Sequence, residues 1–324
     1  MPKLKIVFFG TPEFAAYILE KMVASGLDIR GVVTMPDKPA GRGHRLQPSA
    51  VKETAQRMLP EVPLLQPEKL RDETFLDNLR ALSADLFVVV AFRMLPPEVW
   101  TMPERGTFNL HASLLPRYRG AAPIQRALMA GEEKTGVTAF FLNEEIDKGR
   151  IILRKETPIS PTETGGSLYD RLMKMGADAV LETISLIEKS APGAFLGRKQ
   201  SDFYSDDELP LPTAPKIFKP DRALRFREME ATDLERLVRA MNPYPAAFMT
   251  HEDGTEYKVF RADLLPSPRV GMAPGDFEVT PDRKLIIQSL RGALEILELQ
   301  APSKRRTSTR DFLLGNSLPG GKFL

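Results

Sequence analysis

Residues 84–92, ADLFVVVAF, form an apolar run with no alternation. A strand with one wet face alternates apolar and polar residues. An unbroken run therefore predicts a strand buried on both faces, as in a parallel sheet covered by helices. The N-terminus extends the pattern. Lys5–Phe9 reads as a strand, Gly10 allows a tight turn, and Phe14, Ile18, Leu19 and Met22 recur at helical spacing until Gly26 ends the helix. Ile29–Thr34, GTFNLHA (106–112) and GVTAFFL (136–142) read as further strands, and 48–58 and 69–82 as helices. A long amphipathic helix is predicted over 164–189, with Leu168, Leu172, Met175, Ala179 and Ile187 on or near one face. Strands alternating with helices predict an α/β fold, a doubly wound, mostly parallel, Rossmann-like sheet. Ligands of such sheets sit at the carboxyl ends of the strands.

The chain has 324 residues, enough for two domains. After the long helix the sequence turns rich in Pro, Ser and Asp, which predicts a linker over 191–212 between a domain at 1–190 and another at 213–324. Beyond a short helix at Thr232–Met241, brief alternating stretches such as EYKVFRADLL and ALEILELQ predict a small, OB-like β-barrel. No window approaches the roughly 20 apolar residues needed to span a bilayer, and Ile6–Phe9 is too short for a signal-peptide core. With no cysteine, disulfides, thiolate nucleophiles and sulfur-bound metals are excluded, which fits a reducing cytoplasm. His44, His111 and His251 share no ligand spacing, so no metal is expected. A net charge of +2 announces no nucleic-acid partner, and any such binding must come from local patches.

Two segments carry candidate chemistry. The first glycine turn, FFGTPEFA, is not one of them: it lacks the second glycine that admits a pyrophosphate, so it reads as a packing turn. In FNLHASLLPRYRGAAPI (108–124), Asn109 and His111 stand two apart at a strand end, so their side chains share a face. An amide donor and an imidazole together can hold a carbonyl oxygen as it becomes an oxyanion. A hydrogen-bonded histidine at a strand end is the blander reading of the pair alone. Pro116 and Pro123 stiffen the following turn, whose backbone could meet a planar heterocycle, while Arg117 and Arg119 read as a basic rim. An acid can come from the turn NEEIDKG, where spacing alone does not choose among Glu144, Glu145 and Asp147.

These stretches, FNLHASLLPRYRGAAPIQRAL followed by TGVTAFFLNEEIDKG, resemble the signature of the formyltransferases that use 10-formyltetrahydrofolate. From IVFFGTPEFA through MNPYPAAF (241–248) the whole chain is similar to the members that act on methionyl initiator tRNA. The resemblance implies a catalytic group of Asn109, His111 and Asp147, and folate contacts at Ser113, Leu114, Leu115 and Pro116. It also implies direct attack of the methionyl amine on the formyl carbon of 10-formyltetrahydrofolate, with a monomer as the expected state. Two departures stand out. EEIDKG replaces a glycine-bearing GLDTG turn, and Phe92-Arg93 replaces Tyr-Gly after the apolar strand, with Arg93 expected to face solvent and, as the alternative, to meet the folate's glutamate tail.

The partner expectation rests on the loop TMPDKPAGRGHRLQPS (34–49), read as a long segment without secondary structure. The resemblance makes it the element that meets the tRNA acceptor end, through Arg42 foremost, with Lys38 and Arg45. Lys304, Arg305 and Arg306 add a basic run in the C-terminal domain. Rival readings are a formyltransferase for a small amine, a hydrolase of 10-formyltetrahydrofolate, an RNA-binding protein with a spent catalytic fold, and a dehydrogenase. The basic loop and second domain argue against the first, the intact Asn, His and Asp set against the third, and the missing phosphate loop against the fourth.

Overall fold

The computed structural model describes residues 3–40, 45–191, 193–194, 197–265 and 267–324. In chain order the first elements are β1 (Lys5–Gly10), α1 (Glu13–Ala24), β2 (Asp28–Val33), β3 (Lys38–Ala40), β4 (Arg45–Gln47), α2 (Ala50–Met58) and β5 (Leu64–Leu65). Next come α3 (Glu73–Ala81), β6 (Leu86–Val90), α4 (Pro97–Trp100), β7 (Thr107–His111), β8 (Arg119–Gly120), α5 (Pro123–Met129), β9 (Lys134–Phe141), β10 (Ile151–Pro158) and α6 (Gly165–Lys189). The remainder is β11 (Thr213–Ala214), α7 (Ala231–Met241), β12 (Ala247–Thr250), β13 (Glu256–Leu265), β14 (Phe277–Val279), β15 (Leu285–Gln288), β16 (Ala293–Gln300), β17 (Thr307–Ser308) and α8 (Thr309–Gly315). The chain forms two units. One holds residues up to 120, 135–157 and 170–213; the other holds 121–134, 158–169 and 214–324.

The first unit is built on a seven-stranded sheet in the order β10-β9-β7-β6-β1-β2-β5. β1, β2, β5, β6 and β7 pair in parallel, whereas β9 runs antiparallel to β7. The apolar run at 84–92 is the strand β6, whose five residues are all buried. One face carries Val7, Phe9, Phe87 and Val89 against Phe75, Leu76 and Leu79 of α3. On the other, Gly176 lets α6 lie close: a Cβ there would come within 2.8 Å of Leu110 Cδ2 and 3.4 Å of Phe14. The first glycine turn packs as expected, since a Cβ on Gly10 would meet that of Ala15 at 2.6 Å.

Within 34–49, read from the sequence as lacking secondary structure, the described residues include two short strands. β3 and β4 pair antiparallel, Lys38 opposite Gln47, and the base is fixed by Asp37, which accepts from Lys52 (2.7 Å) and Gln66 (2.8 Å). Those two hydrogen bonds, Lys52 first, hold the Asp37 carboxyl below its ordinary range. Lys38 is exposed, while Arg42 and His44 lie outside the described residues.

The second unit is centred on an antiparallel sheet, β12-β13-β16-β15-β14, with β17 on β16. The helix α7 buries Leu234, Leu237, Val238 and Met241, and α5, which buries Ile124, Ala127 and Leu128, packs against it. Phe323 is fully buried among Phe226, His251, Tyr257 and Phe277. The MNPYPAAF motif has a packing role here. A Cβ on Gly165 would lie 2.3 Å from Ala240 O, and the Gly166 amide donates to Asn242 O at 2.9 Å. Of the basic run, Arg306 is engaged by Glu298 at 2.5 Å and stacks over Phe260, while Lys304 and Arg305 are exposed.

Candidate active site

The strand β7 ends at the carboxyl edge of the sheet, beside the ends of β6 and β1. In register, Asn109 lies between Val89 of β6 and Phe140 of β9, and His111 lies opposite Thr138. Alternation puts Leu110 toward α6 and turns Asn109 and His111 to the other face. Asn109 is half-buried, and its side-chain amide has no hydrogen-bond partner among the described residues. His111 is 7% exposed.

Backbone geometry fixes how the imidazole can act. His111 Nε2 lies 2.8 Å from the carbonyl oxygen of Tyr118. A carbonyl only accepts, so Nε2 carries a proton and donates. That leaves Nδ1 toward the site, 4.0 Å from Asp147 Oδ2. At this separation the two atoms do not bond each other directly, but both can reach a third polar atom beside them.

Asp147 reaches this position from the loop between β9 and β10. Its backbone is left-handed (φ 54°), a conformation Asp tolerates better than most residues. Its Oδ2 accepts from the Gly120 amide at 3.0 Å. The loop is tightened by Glu145 N–H donating to Asn143 Oδ1 at 3.1 Å and by a Lys148–Glu145 ion pair. Glu144 and Glu145 are exposed, so the geometry selects Asp147 from the three acids. Gly149 is obligatory on steric grounds, since a Cβ there would stand 1.6 Å from Phe141 O.

The turn after His111 is a framework. The Thr138 hydroxyl, fully buried, donates to Ser113 O (2.7 Å) and accepts from Leu115 N–H (3.1 Å). Ser113 Oγ donates to Arg117 O at 2.8 Å. The amides of Tyr118 and Gly120 are likewise spent, on Pro212 O and on Asp147. The backbone that the sequence offered to a heterocycle is thus largely satisfied within the protein. Ser113, Leu115 and Pro116 are buried, and Leu114 is the half-exposed member of the four.

Gln200 carries no sign of its contacts in the local sequence. It lies in the stretch read as a linker, yet it is buried against the Asp147 loop and accepts from Arg119 Nη2 at 2.6 Å. Arg119 is therefore no solvated rim: burial pulls its pKa down, while nearby Tyr204, Asp147 and Glu145 act in the opposite direction. Arg93 also differs from expectation. Its guanidinium donates to Glu68 O at 2.7 Å and to Pro67 O, so it clasps a turn instead of facing solvent. A cavity of about 460 Å³, lined in part by Arg105, Phe141, Lys148 and Gln200, opens behind the Asp147 loop and does not include Asn109 or His111. No group of metal-ligating residues occurs among the described residues, and no described helix is long and apolar enough to cross a membrane.

Asn109 and His111 share one face at the carboxyl end of β7, with Asp147 beside His111, and the formyl transferase profile matches residues 4–184 of this chain. The profile of the formyl transferase C-terminal domain matches residues 216–317, and the chain belongs to the formyl transferase family. More particularly, it is 43% identical over 318 residues to methionyl-tRNA formyltransferase of Flavobacterium johnsoniae, covering 97% of each chain. It is 45% identical over 317 residues to the protein of that name from Parabacteroides distasonis, covering 96% of this chain and 95% of that one. Among solved structures, the sugar 3N-formyl transferase WlaRD, in the presence of dTDP and 5-N-formyl-THF, has a TM-score of 0.65 at 18% identity, covering 94% of this chain and all 100% of that one. HypX from Aquifex aeolicus in complex with tetrahydrofolic acid has a TM-score of 0.63 at 18% identity, over 96% of this chain and 47% of that one. The present chain spans about half the length of HypX, and likeness at this identity speaks to the fold alone.

Proposed function

We propose that this chain transfers the formyl group of 10-formyltetrahydrofolate to the α-amino group of methionyl initiator tRNA, in the cytoplasm, where translation begins. The chemistry is supported by Asn109 and His111 on one face of β7 with Asp147 Oδ2 4.0 Å from His111 Nδ1, and the acceptor by 43–45% identity over nearly the full chain to methionyl-tRNA formyltransferases. The monomer is the proposed unit of activity.

The amine attacks the formyl carbon, the carbonyl oxygen gains negative charge, and collapse of the tetrahedral intermediate breaks the bond from the formyl carbon to the folate nitrogen, releasing tetrahydrofolate. The Asn109 amide, with no protein partner among the described residues, donates to that oxygen. His111 has already committed Nε2–H to Tyr118, so it can donate only through Nδ1, as an imidazolium. Asp147 is its counter-charge and lies close enough to pass a proton, through water, from the attacking amine to the departing nitrogen. Leu114 meets the folate, while Ser113, Leu115 and Pro116 keep the turn in shape. Lys38, Arg42 and Arg45 approach the acceptor end of the tRNA, and the C-terminal unit, with Lys304 and Arg305, binds the tRNA elsewhere.

The test supplies purified protein with 10-formyltetrahydrofolate and one of three acceptors: methionyl initiator tRNA, methionyl elongator tRNA, or none. Formyl transfer to the first alone is expected. Formate release without an acceptor would make the protein a hydrolase instead.

A further inference from the structure

We infer that Gln200 is a positioning residue for the catalytic carboxylate, an inference that rests on the proposed role of Asp147. Its side chain makes four hydrogen bonds, and their chemistry leaves only one orientation of the amide. Arg119 donates from Nε (3.1 Å) and Nη2 (2.6 Å), so the atom it meets is the oxygen. Nε2 then points to the carbonyls of Asp147 (2.8 Å) and Gly149 (2.9 Å), which can only accept. Both amide hydrogens are used on the loop that presents the carboxylate, and the oxygen is used on the residue next to Gly120.

Gly120 closes the circuit, since its amide donates to Asp147 Oδ2. Asp147 is thus gripped at its side chain by the 118–120 strap and at its backbone by Gln200, and Gln200 holds the strap's Arg119. The same strap carries the Tyr118 carbonyl that sets the His111 tautomer. One neutral side chain, buried to 6% exposure, fixes the separation between imidazole and carboxylate. The backbone of Asp147 is left-handed, a conformation Asp tolerates at some cost, and the two carbonyl contacts from Gln200 help to hold it.

The segment bearing Gln200 is docked independently of this amide. Ile151 and Arg198 exchange backbone hydrogen bonds at 2.8 Å, and the guanidinium groups of Arg198 (4.3 Å) and Arg154 (4.7 Å) both stack over the Phe203 ring. Replacing the amide therefore frees the Asp147 loop without undocking the segment.

The experiment measures kcat, both KM values and the melting temperature for Gln200→Leu, Gln200→Glu, Asp147→Asn and Asp147→Asn/Gln200→Leu. Displacing a catalytic group by about 1 Å costs on the order of a hundredfold, so Gln200→Leu is expected to lower kcat about ten- to a hundredfold while both KM values stay within about threefold. Gln200→Glu keeps an acceptor for Arg119 but turns an oxygen toward two carbonyls. It should lose as much rate as Gln200→Leu, and it serves alone if Gln200→Leu fails to fold. The double variant should be no slower than Asp147→Asn. A full-rate Gln200→Glu, or losses that multiply in the double variant, would overturn the inference and leave Asp147 in its role. A full-rate Asp147→Asn would overturn the role of Asp147 itself, and the inference with it.

Discussion

Replacing Thr138 by valine removes one buried hydroxyl at nearly constant shape. The hydroxyl serves two backbone groups of the turn that follows His111, donating to Ser113 O at 2.7 Å and accepting from Leu115 N–H at 3.1 Å. Thr138 and Ser113 are fully buried, as is Leu115, so water does not replace the lost bonds. Leaving a buried polar group unpaired costs about 1–3 kcal/mol, and two such groups, offset by the added apolar methyl, come to about 2–4 kcal/mol. In a unit of this size each kcal/mol shifts the melting temperature by about 2–4 °C, which puts the drop at about 5–15 °C. Thr138→Ser is the control, because it keeps both bonds and loses a methyl group. Calorimetric melts of the two variants and the parent decide the matter, with formyl transfer measured alongside at 25 °C. Since the turn leads to the Tyr118 carbonyl that holds His111, kcat should fall in Thr138→Val and recover in Thr138→Ser. If Thr138→Val melts at or above Thr138→Ser, the hydroxyl does not hold the turn.

Gly149→Ala puts a Cβ 1.6 Å from Phe141 O, so the Asp147 loop must move by about 1.5 Å or more; transfer should slow by about a hundredfold, and wild-type rates would show that the loop is not fixed there. Arg42→Leu should raise KM for charged initiator tRNA about ten- to a hundredfold and leave folate affinity unchanged, as measured by steady-state kinetics and titration. Equal damage to both would assign the loop to the folate pocket. Acid should destabilise the fold through carboxyls held below their ordinary range: Asp37 by the Lys52 hydrogen bond, Asp221 by the Phe218 backbone amide, and Glu298 by Arg306. Their contribution is complete above the unfolded carboxyl range near about 4 and is lost as pH falls through the lower folded values. Denaturant midpoints should therefore be flat from pH 7 to about 5 and drop below about 4; a midpoint that rises on acidification would contradict this.

Legibility in the sequence followed the range of the forces involved. The apolar run of β6 and the spacing of Phe14, Ile18, Leu19 and Met22 were readable because burial of a whole face leaves a local period. Asn109 and His111 were readable together because strand alternation puts them on one face. The direction of β9 was not, since an apolar strand looks alike whether it pairs in parallel or antiparallel. The hairpin of β3 and β4 was hidden in a segment of Pro and Gly. Gln200 left no local trace either: its loop partners, the carbonyls of Asp147 and Gly149, are over fifty residues away and belong to the backbone. Pro, Ser and Asp around it suggested a tether, whereas Arg198 pairs with Ile151 at the start of β10. Arg93 misled for a similar reason, because its acceptors are main-chain oxygens of a distant turn.

The most direct test of the catalytic group is the single-turnover rate of formyl transfer by Asn109→Ala, with folate and methionyl initiator tRNA both saturating. Loss of one oxyanion donor should slow the chemical step about a hundred- to thousandfold. The dissociation constant for the folate should change by less than about threefold, since the lost interaction strengthens only as charge develops. An unchanged rate, or a deficit that vanishes when substrate is raised, would mean that Asn109 does not act on the developing oxyanion.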